Sequence, residues 1–454
     1  MNLHENQTLS RIYQIASQIA RQGGRAYFVG GCVRDSILNR NITDYDIEVY
    51  GIAPSYLESL LSKFGAVHEY GKSFGIFSIR GLNAEFALPR TEYLQAVDAE
   101  NKRVILSEAP SKQQKASIER QYPKYRITVL PNYPFRHTDF AVIINPDAAP
   151  AEAALRRDFT INSILKDVIT GEIKDCYGGI SDIDGKTIRH IDAHTFVQDP
   201  LRALRAAQFA GRLGFSIAPE TKVLCASLSL QMLPIERIRC ELKKLLKSPY
   251  PKLGFDFLLN TQLLRQLSEN WFQSFQCTFN FFSSSVPLCD IIPNLLLPWE
   301  AEANTALLLL PLLISNLQIS PVLKLLCGSR QEEEKQKVIA SQIQEFITCP
   351  NAYTIRKAAY FHVLDPLLKI SSSIAQYTGN PNPASQIACE LSGELNSTPL
   401  LTGKDLIECG IAPSPAYAKI LQYARELQFH GYTKSQIIQN IKQNIQQFFN
   451  KNIN

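Results

Sequence analysis

Two consecutive glycines, Gly30 and Gly31, stand where an apolar run ends, and the residues on either side of them leave few folds open. Ala26-Tyr27-Phe28-Val29 is short, apolar and rich in strand formers, so it predicts a β-strand; Val33 to Leu38 predicts a helix. Asp44 to Tyr50 then alternates polar and apolar residues, the period of a half-buried strand. Upstream, Leu9, Ile12, Ile15, Ala16 and Ile19 recur at helical spacing until Gly23 and Gly24 end the pattern. Downstream, Ser55 to Phe64 predicts a helix, and Phe74 to Arg80 and Ala84 to Leu88 predict two more strands. A strand–turn–helix–strand unit inside such alternation calls for an α/β or α+β domain built on a small sheet.

The pattern changes twice further on. From about Gln95 to Ala153 prolines are frequent and a basic bias appears at Lys102, Arg103, Lys112, Lys115, Arg120, Lys124, Arg126 and Arg136. This segment reads as a solvated insertion in preference to a dedicated RNA-gripping element. After Asp199 strand signals nearly vanish and helical periodicity runs to the end, where the Gln-, Asn- and Lys-rich stretch after Thr433 reads as a polar helix or frayed tail. The fold class expected is therefore α+β: an N-terminal head with a small mixed sheet, then an all-helical neck, body and tail. The boundaries expected are 1–180 for the head with its insertion at about 95–153, 181–249 for the neck and 250–454 for body and tail.

Bulk properties exclude little but agree with this division. A length of 454 residues exceeds one ordinary domain, and 45% hydrophobic with 20% charged residues is the composition of a soluble globular protein. The net charge of +5 is compatible with a polyanionic partner without requiring one. Ala306 to Ile314, the most apolar stretch, is too short to cross a bilayer and contains Pro311, so it predicts a buried helix broken near its middle. Ten cysteines without a Cys-x-x-Cys pair, and no signal-peptide pattern at the start, predict reduced thiols in a cytoplasmic protein with no membrane partner.

Asp44 and Asp46 are two apart on the second strand, so their side chains project from one face. Adjacent carboxylates repel unless a hard cation neutralises them, and Mg²⁺ suits such a pair because it keeps places for water and phosphate oxygens. Glu85 lies on a later strand and can complete the acidic group. The two glycines let backbone approach a triphosphate closely, the following helix offers N–H groups, and Arg34 in its first turn adds a cation. Alone, an Asp-x-Asp is more often a solvated turn, and a Gly-Gly is more often only a bend. Their combination across strand, turn, helix and strand points to phosphoryl transfer.

With these residues the chain resembles class II tRNA nucleotidyltransferases and bacterial poly(A) polymerases, members of the DNA polymerase beta-like nucleotidyltransferase superfamily. The likeness continues in order. Arg156-Arg157-Asp158-Phe159-Thr160-Ile161-Asn162 is similar to the family's arginine-arginine-aspartate motif, and Asp175 through Gly178-Gly179 to Asp182 resembles its head-to-neck loop, with Cys176 where proline is usual. Asp199-Pro200-Leu201-Arg202-Ala203-Leu204-Arg205 resembles the nucleobase-selecting helix, and Glu236-Arg237-Ile238-Arg239-Cys240-Glu241-Leu242 the last neck motif. Pro399 to Leu406 is similar to a segment of the tail in many members.

The resemblance implies a Mg²⁺-dependent enzyme that adds C and A from CTP and ATP to the 3′ end of tRNA without a nucleic-acid template, as CCA or as a partial CC or A. A poly(A) polymerase, or a catalytically silent RNA-binding protein on the same fold, are the alternatives. It implies that Asp44 and Asp46 hold the metal, that Gly31, Arg34 and Arg157 hold the nucleotide, and that Asp199, Arg202 and Arg205 recognise base and phosphate. The neck would then select the base, and body and tail would bind RNA.

Cytosine and adenine each present an amino donor beside a ring-nitrogen acceptor. An Asp, which only accepts, and an Arg, which only donates, fit both, whereas uracil and guanine reverse the pattern. The Asp199-x-x-Arg202 spacing predicts both side chains on one helix face. Gln198 stands where glutamate usually precedes the aspartate, and Gln208 where a further arginine often lies, which leaves open what fixes Arg202 and Arg205.

Overall fold

The structure, a computed structural model, describes residues 3–70, 75–98, 100, 102–106, 112–121, 124, 126–129, 140–276, 278–281, 284–379 and 381–449. Phe74, the first residue of one expected strand, and Arg136 of the basic insertion lie outside them. The chain divides into two compact units, Met1–Ala210 with Gly214–Pro234 and Gly211–Leu213 with Ile235–Asn454. The division falls inside the segment expected as the neck.

The first unit opens with α1 (Leu3–Arg21), whose Ile12, Ile15 and Ile19 are fully buried, and it closes at Gly23 with φ 82°. Then follow β1 (Arg25–Val29), α2 (Gly31–Ile37), β2 (Tyr45–Tyr50), α3 (Pro54–Ser62), β3 (Val67–Tyr70), β4 (Ile76–Ile79) and β5 (Ala84–Ala87). The basic segment is more regular than its prolines suggest. It forms β6 (Arg90–Asp98), β7 (Arg103–Leu106), α4 (Lys112–Gln121), β8 (Arg126–Val129) and β9 (Phe140–Ile144), a four-stranded sheet in the order β8-β7-β6-β9. Val104, Ile105, Leu106 and Ile118 are buried in it, while Lys102, Lys112, Lys115, Arg120, Lys124 and Arg126 are exposed. A short run of strand formers, Val104 to Leu106, suffices to give this insertion a core.

After α5 (Pro150–Ala154) and one 3-10 turn at Thr160–Asn162, β10 (Leu165–Asp167) and β11 (Ile173–Lys174) complete a seven-stranded sheet ordered β11-β10-β1-β2-β5-β4-β3. Its β2–β5 pair is parallel and its other pairs are antiparallel, so the sheet is mixed. On β2 the alternation is strict. Tyr45, Ile47 and Val49 are 5%, 1% and 0% exposed on one face, and Asp46, Glu48 and Tyr50 share the other. The unit ends with α6 (Gly179–Asp184), β12 (Thr187–Ile188), α7 (Ala193–Phe196), α8 (Leu201–Leu213), β13 (Ser216–Ile217) and α9 (Pro219–Ala226). The last three residues of α8 group with the second unit.

The second unit begins with α10 (Ile235–Leu246) and is predominantly helical. It is not all-helical as expected: Thr278–Phe281 and Ser284–Pro287 pair as an antiparallel hairpin. The polar–apolar alternation of Thr278-Phe279-Asn280-Phe281 is the period of a strand, which the surrounding helical pattern obscured. The helix Ala301–Ile314 also runs unbroken, with Pro311 inside its last turn, where the missing N–H forfeits one hydrogen bond to the preceding turn. No described helix is long and apolar enough to cross a membrane.

Candidate active site

Of the residues singled out in the first unit, Asp46 and Arg157 meet at the Gly30 turn. Gly30 has φ 70°, a conformation that favours glycine, and it caps α2. A methyl group on it would stand 3.4 Å both from an Asp46 carboxylate oxygen and from an Arg157 guanidinium nitrogen. The turn, the acid of β2 and the arginine of the later motif thus converge on one point. The Cys32 thiol, donating to the Val29 carbonyl at 3.0 Å, pins α2 to β1. At seven residues α2 is a short source of dipole, so a phosphate here would depend on backbone and side chains more than on the helix.

Asp44 lies one residue before β2, exposed and bonded by the Thr43 hydroxyl at 3.0 Å. Asp46 is in parallel register with Glu85 of β5, which places both acids on one side of the sheet. The Asp46 carboxyl sits above the ordinary aspartate range: loss of solvent is the main cause, Arg157 opposes it, and Glu85 and Asp44 add to it. Among the described residues no group of three or more His, Cys, Asp or Glu side chains is already gathered to hold an ion. One or two hard oxygen donors beside a phosphate is how Mg²⁺ is ordinarily held, so the donor set fits that ion.

Glu48, two residues beyond Asp46 on the same face, is 1% exposed and organises the arginines. Arg156 Nη2 bonds its Oε1 at 2.7 Å, Arg157 Nη2 lies 3.6 Å from Oε2, and the Tyr50 hydroxyl donates to Oε2 at 2.9 Å. Burial works against the Glu48 charge, but Arg157, Arg156 and these hydrogen bonds outweigh it and hold the carboxyl below the usual glutamate range. Arg157 is thereby fixed between Glu48 and Asp46.

Arg34 departs from the expectation of an open phosphate ligand. It is 1% exposed, its Nε donates to Asp35 Oδ1 at 2.9 Å and its Nη1 to Asn162 Oδ1 at 2.6 Å. Its Nη2 would be 3.4 Å from a methyl on Gly31, so the guanidinium backs the turn from within. Arg205 Nε and Nη2 both meet Asp158 Oδ2 at 2.7 Å. Burial raises the cost of the Asp158 charge, yet Arg205 and the Asn162 amide outweigh it and keep the carboxyl below the usual aspartate range.

Asp199 and Arg202 are not on one helix face as the spacing suggested. Asp199 precedes Pro200, the N-cap of α8, and its Oδ1 accepts from the Leu201 N–H at 3.1 Å, so it caps the helix from outside. The helix itself begins only at Leu201, so Asp199 stands outside it. Arg202 donates to the Thr195 carbonyl at 2.7 Å and the Arg156 carbonyl at 2.6 Å. With glutamine at position 198, backbone carbonyls fix Arg202, and Asp158 fixes Arg205.

Glu48 and Phe209 were not singled out in the sequence, and Asp158 and Asn162 only as members of the arginine-arginine-aspartate motif, without a role of their own. Glu48 continues the i, i+2 spacing of Asp44 and Asp46, and Asp158 with Asn162 stands at i, i+4 within the arginine motif, so spacing alone could have flagged them. Nothing in the sequence distinguishes Phe209 from any other core aromatic.

Comparison with known proteins places the chain beside others of similar sequence and fold. Residues 26–189 match the family described as the poly A polymerase head domain, and residues 214–272 match one described as a probable RNA and SrmB-binding site of polymerase A. The multifunctional CCA proteins of Mannheimia succiniciproducens and Tolumonas auensis are 34% and 35% identical over 250 and 248 residues, which are 54% and 53% of this chain and 49% and 50% of theirs. The chain spans about half the length of the curated relatives it matches. The solved CCA-adding enzyme of Bacillus stearothermophilus, in complex with CTP, shares its fold at a TM-score of 0.64 with 22% identity, covering 98% of this chain and 99% of that one. That of Thermotoga maritima, complexed with tRNA-CCA, does so at 0.57 with 18% identity, covering 96% and 95%. Residues 26–189 are thus similar to the poly A polymerase head domain, and residues 214–272 to the RNA-binding segment described for that polymerase.

Proposed function

We propose that the chain is a tRNA nucleotidyltransferase that adds C and A to the tRNA 3′ end from CTP and ATP. The observation that carries this reading is the meeting of Gly30, Asp46 and Arg157, with Glu85 in register behind. It joins a triphosphate cradle to an acidic site that favours a cation. The naming of curated relatives as multifunctional CCA proteins supports the choice of acceptor and nucleotides.

In this reading the 3′-hydroxyl oxygen of the RNA forms a bond to the α-phosphorus as it loses its proton. The bond from that phosphorus to the bridging oxygen breaks, and pyrophosphate leaves. Asp44 and Asp46 would hold Mg²⁺, with Glu85 beside them, and the ion would supply charge neutralisation at the attacking and leaving oxygens. Arg157, already steered toward Asp46 by Glu48, offers its cation to the triphosphate beside Gly30 and Gly31. Arg34 stiffens the turn from inside. Asp199, Arg202 and Arg205, at and just before the start of α8, would read the base, and the second unit would bind the body of the RNA.

The test is single-nucleotide extension of tRNA transcripts ending before CCA, after C and after CC, with each nucleoside triphosphate and Mg²⁺. Ordered addition stopping at CCA is the expected result, and action on only some acceptors would assign a partial CC- or A-adding role. Long adenylate tails on unstructured RNA would replace this reading by a poly(A) polymerase, and RNA binding without incorporation by a silent binder.

A further inference from the structure

We infer, on the reading proposed above, that Asn162 is a positioning residue that sets the arginine behind the phosphate cradle, Arg34, and the arginine at the base-reading helix, Arg205, as one unit. Asn162 is buried, 6% exposed, and both ends of its amide are used. Oδ1 accepts from Arg34 Nη1 at 2.6 Å, and Nδ2 donates to Asp158 Oδ1 at 2.9 Å. The other Asp158 oxygen takes Arg205. A guanidinium can only donate and a carboxylate can only accept, so a neutral amide joins the two in one orientation alone. An acid at 162 would repel Asp158, and an alkyl side chain would leave a buried donor and a buried acceptor unmatched.

The relay closes on itself through an aromatic ring. The guanidinium carbons of Arg34 and Arg205 lie 5.2 and 5.3 Å from the centroid of Phe209, each within cation–π reach. Arg157 joins from the backbone side, its Nη1 3.5 Å from the Asn162 carbonyl. Asn162 thus meets Arg34 and Arg157 directly and Arg205 through Asp158.

Its own backbone is held firmly. The 3-10 turn Thr160–Asn162 is tied to α6 by the Thr160 hydroxyl on Asp182 at 2.7 Å. The Thr160 carbonyl packs where a methyl on Gly179 would stand, only 2.3 Å away. Asp175, accepting from the Gly179 and Ile180 N–H groups at 2.8 Å each, fixes that approach. A rigid amide on a rigid turn is suited to positioning charges, and none of these contacts requires Asn162 to touch the substrate.

The experiment compares full-length wild type with Asn162→Ala and Asn162→Asp in single-nucleotide addition, with CTP, ATP, UTP and GTP. Asn162→Ala is expected to raise KM for CTP and ATP about ten-fold, to lower kcat less, and to cut the preference for CTP over UTP about ten-fold, the worth of one misdirected buried hydrogen bond. Asn162→Asp should shift the preference in the same direction. Phe209→Leu keeps apolar volume but removes the ring, and should lower the preference about three-fold. A folded Asn162→Ala enzyme with unaltered KM and unaltered preference overturns the inference. Should that variant fail to fold, unaltered preference in Phe209→Leu overturns it instead. Equilibrium binding of CTP and UTP without RNA separates the two readings. If wild type transfers nothing yet prefers CTP in binding, and the variants lose that preference, the proposed activity falls and the relay stands. If wild type binds neither, both fall.

Discussion

At one end of the site Asp46 and Glu85 are exposed and receive no side-chain hydrogen bond among the described residues, whereas at the other Asp158 is buried and accepts from Phe159, Asn162 and Arg205. The same residue type is thus shifted in opposite directions within one unit: the Asp46 carboxyl lies above the ordinary aspartate range and that of Asp158 below it. On the proposed reading, the acid that would receive an ion is the one short of partners, and the acid that aims an arginine is saturated with them. Glu48, buried on the same strand as Asp46, belongs with Asp158 in this respect.

The contrast can be broken most severely at Asp46. Asp46→Asn should lower nucleotide transfer at least about a thousand-fold, since a cation's partner at the reacting phosphate is lost. Its melting temperature at pH 7 should equal or exceed that of wild type. A carboxyl whose folded pKa is raised costs stability once it ionises, and that cost vanishes below its unfolded value of about 3.9. Loss of folding in Asp46→Asn would place this acid with the structural ones.

Asp158→Asn should do the reverse, costing about 3 kcal/mol at pH 7 because Arg205 is left beside a neutral amide. The folded pKa of Asp158 is lowered, so its contribution is present above the unfolded value of about 3.9 and is lost as pH falls through the folded pKa. Urea unfolding at pH 7 and in acid should therefore show the difference between wild type and variant shrinking in acid. An equal difference at both pH values would assign the effect to hydrogen-bond geometry alone. The smallest expected change is Gly30→Ala, about 1 kcal/mol of stability from a positive-φ backbone that glycine alone adopts without strain. A several-fold rise in KM for nucleotide should accompany it, since the new methyl would crowd Asp46 and Arg157. Steady-state extension assays and thermal melts check both effects.

What could be read in advance follows the range of the interactions. The β1–turn–α2–β2 unit was legible because glycine, helix period and strand period are local signals. The pairing of Asp44 with Asp46 could be proposed because an i, i+2 spacing is a local signal, although Asp44 lies one residue before β2. The four-stranded sheet of the insertion was not, since its β6–β9 pair joins residues about fifty positions apart and its short strands are separated by turn-rich sequence. Arg34 was assigned to the phosphate from its place in the first turn of α2. Its burial against Asn162, 128 residues away, is a tertiary fact that no local pattern carries. Likewise, the carbonyls that hold Arg202 leave no mark on side-chain identity.

The strict alternation along β2 has a consequence for folding as well as for chemistry. Asp46 and Glu48 occupy one face and Tyr45, Ile47 and Val49 the other, so a slip of one residue against β1 or β5 would turn both acids toward the apolar layer. Misaligned pairing would strand charges in a medium that cannot solvate them, a penalty of several kcal/mol for each by rough reckoning. The acids proposed for chemistry and for steering Arg157 therefore also act as proofreaders of strand alignment. A chain that has reached its active geometry has, by the same contacts, rejected its nearest misfolded neighbour.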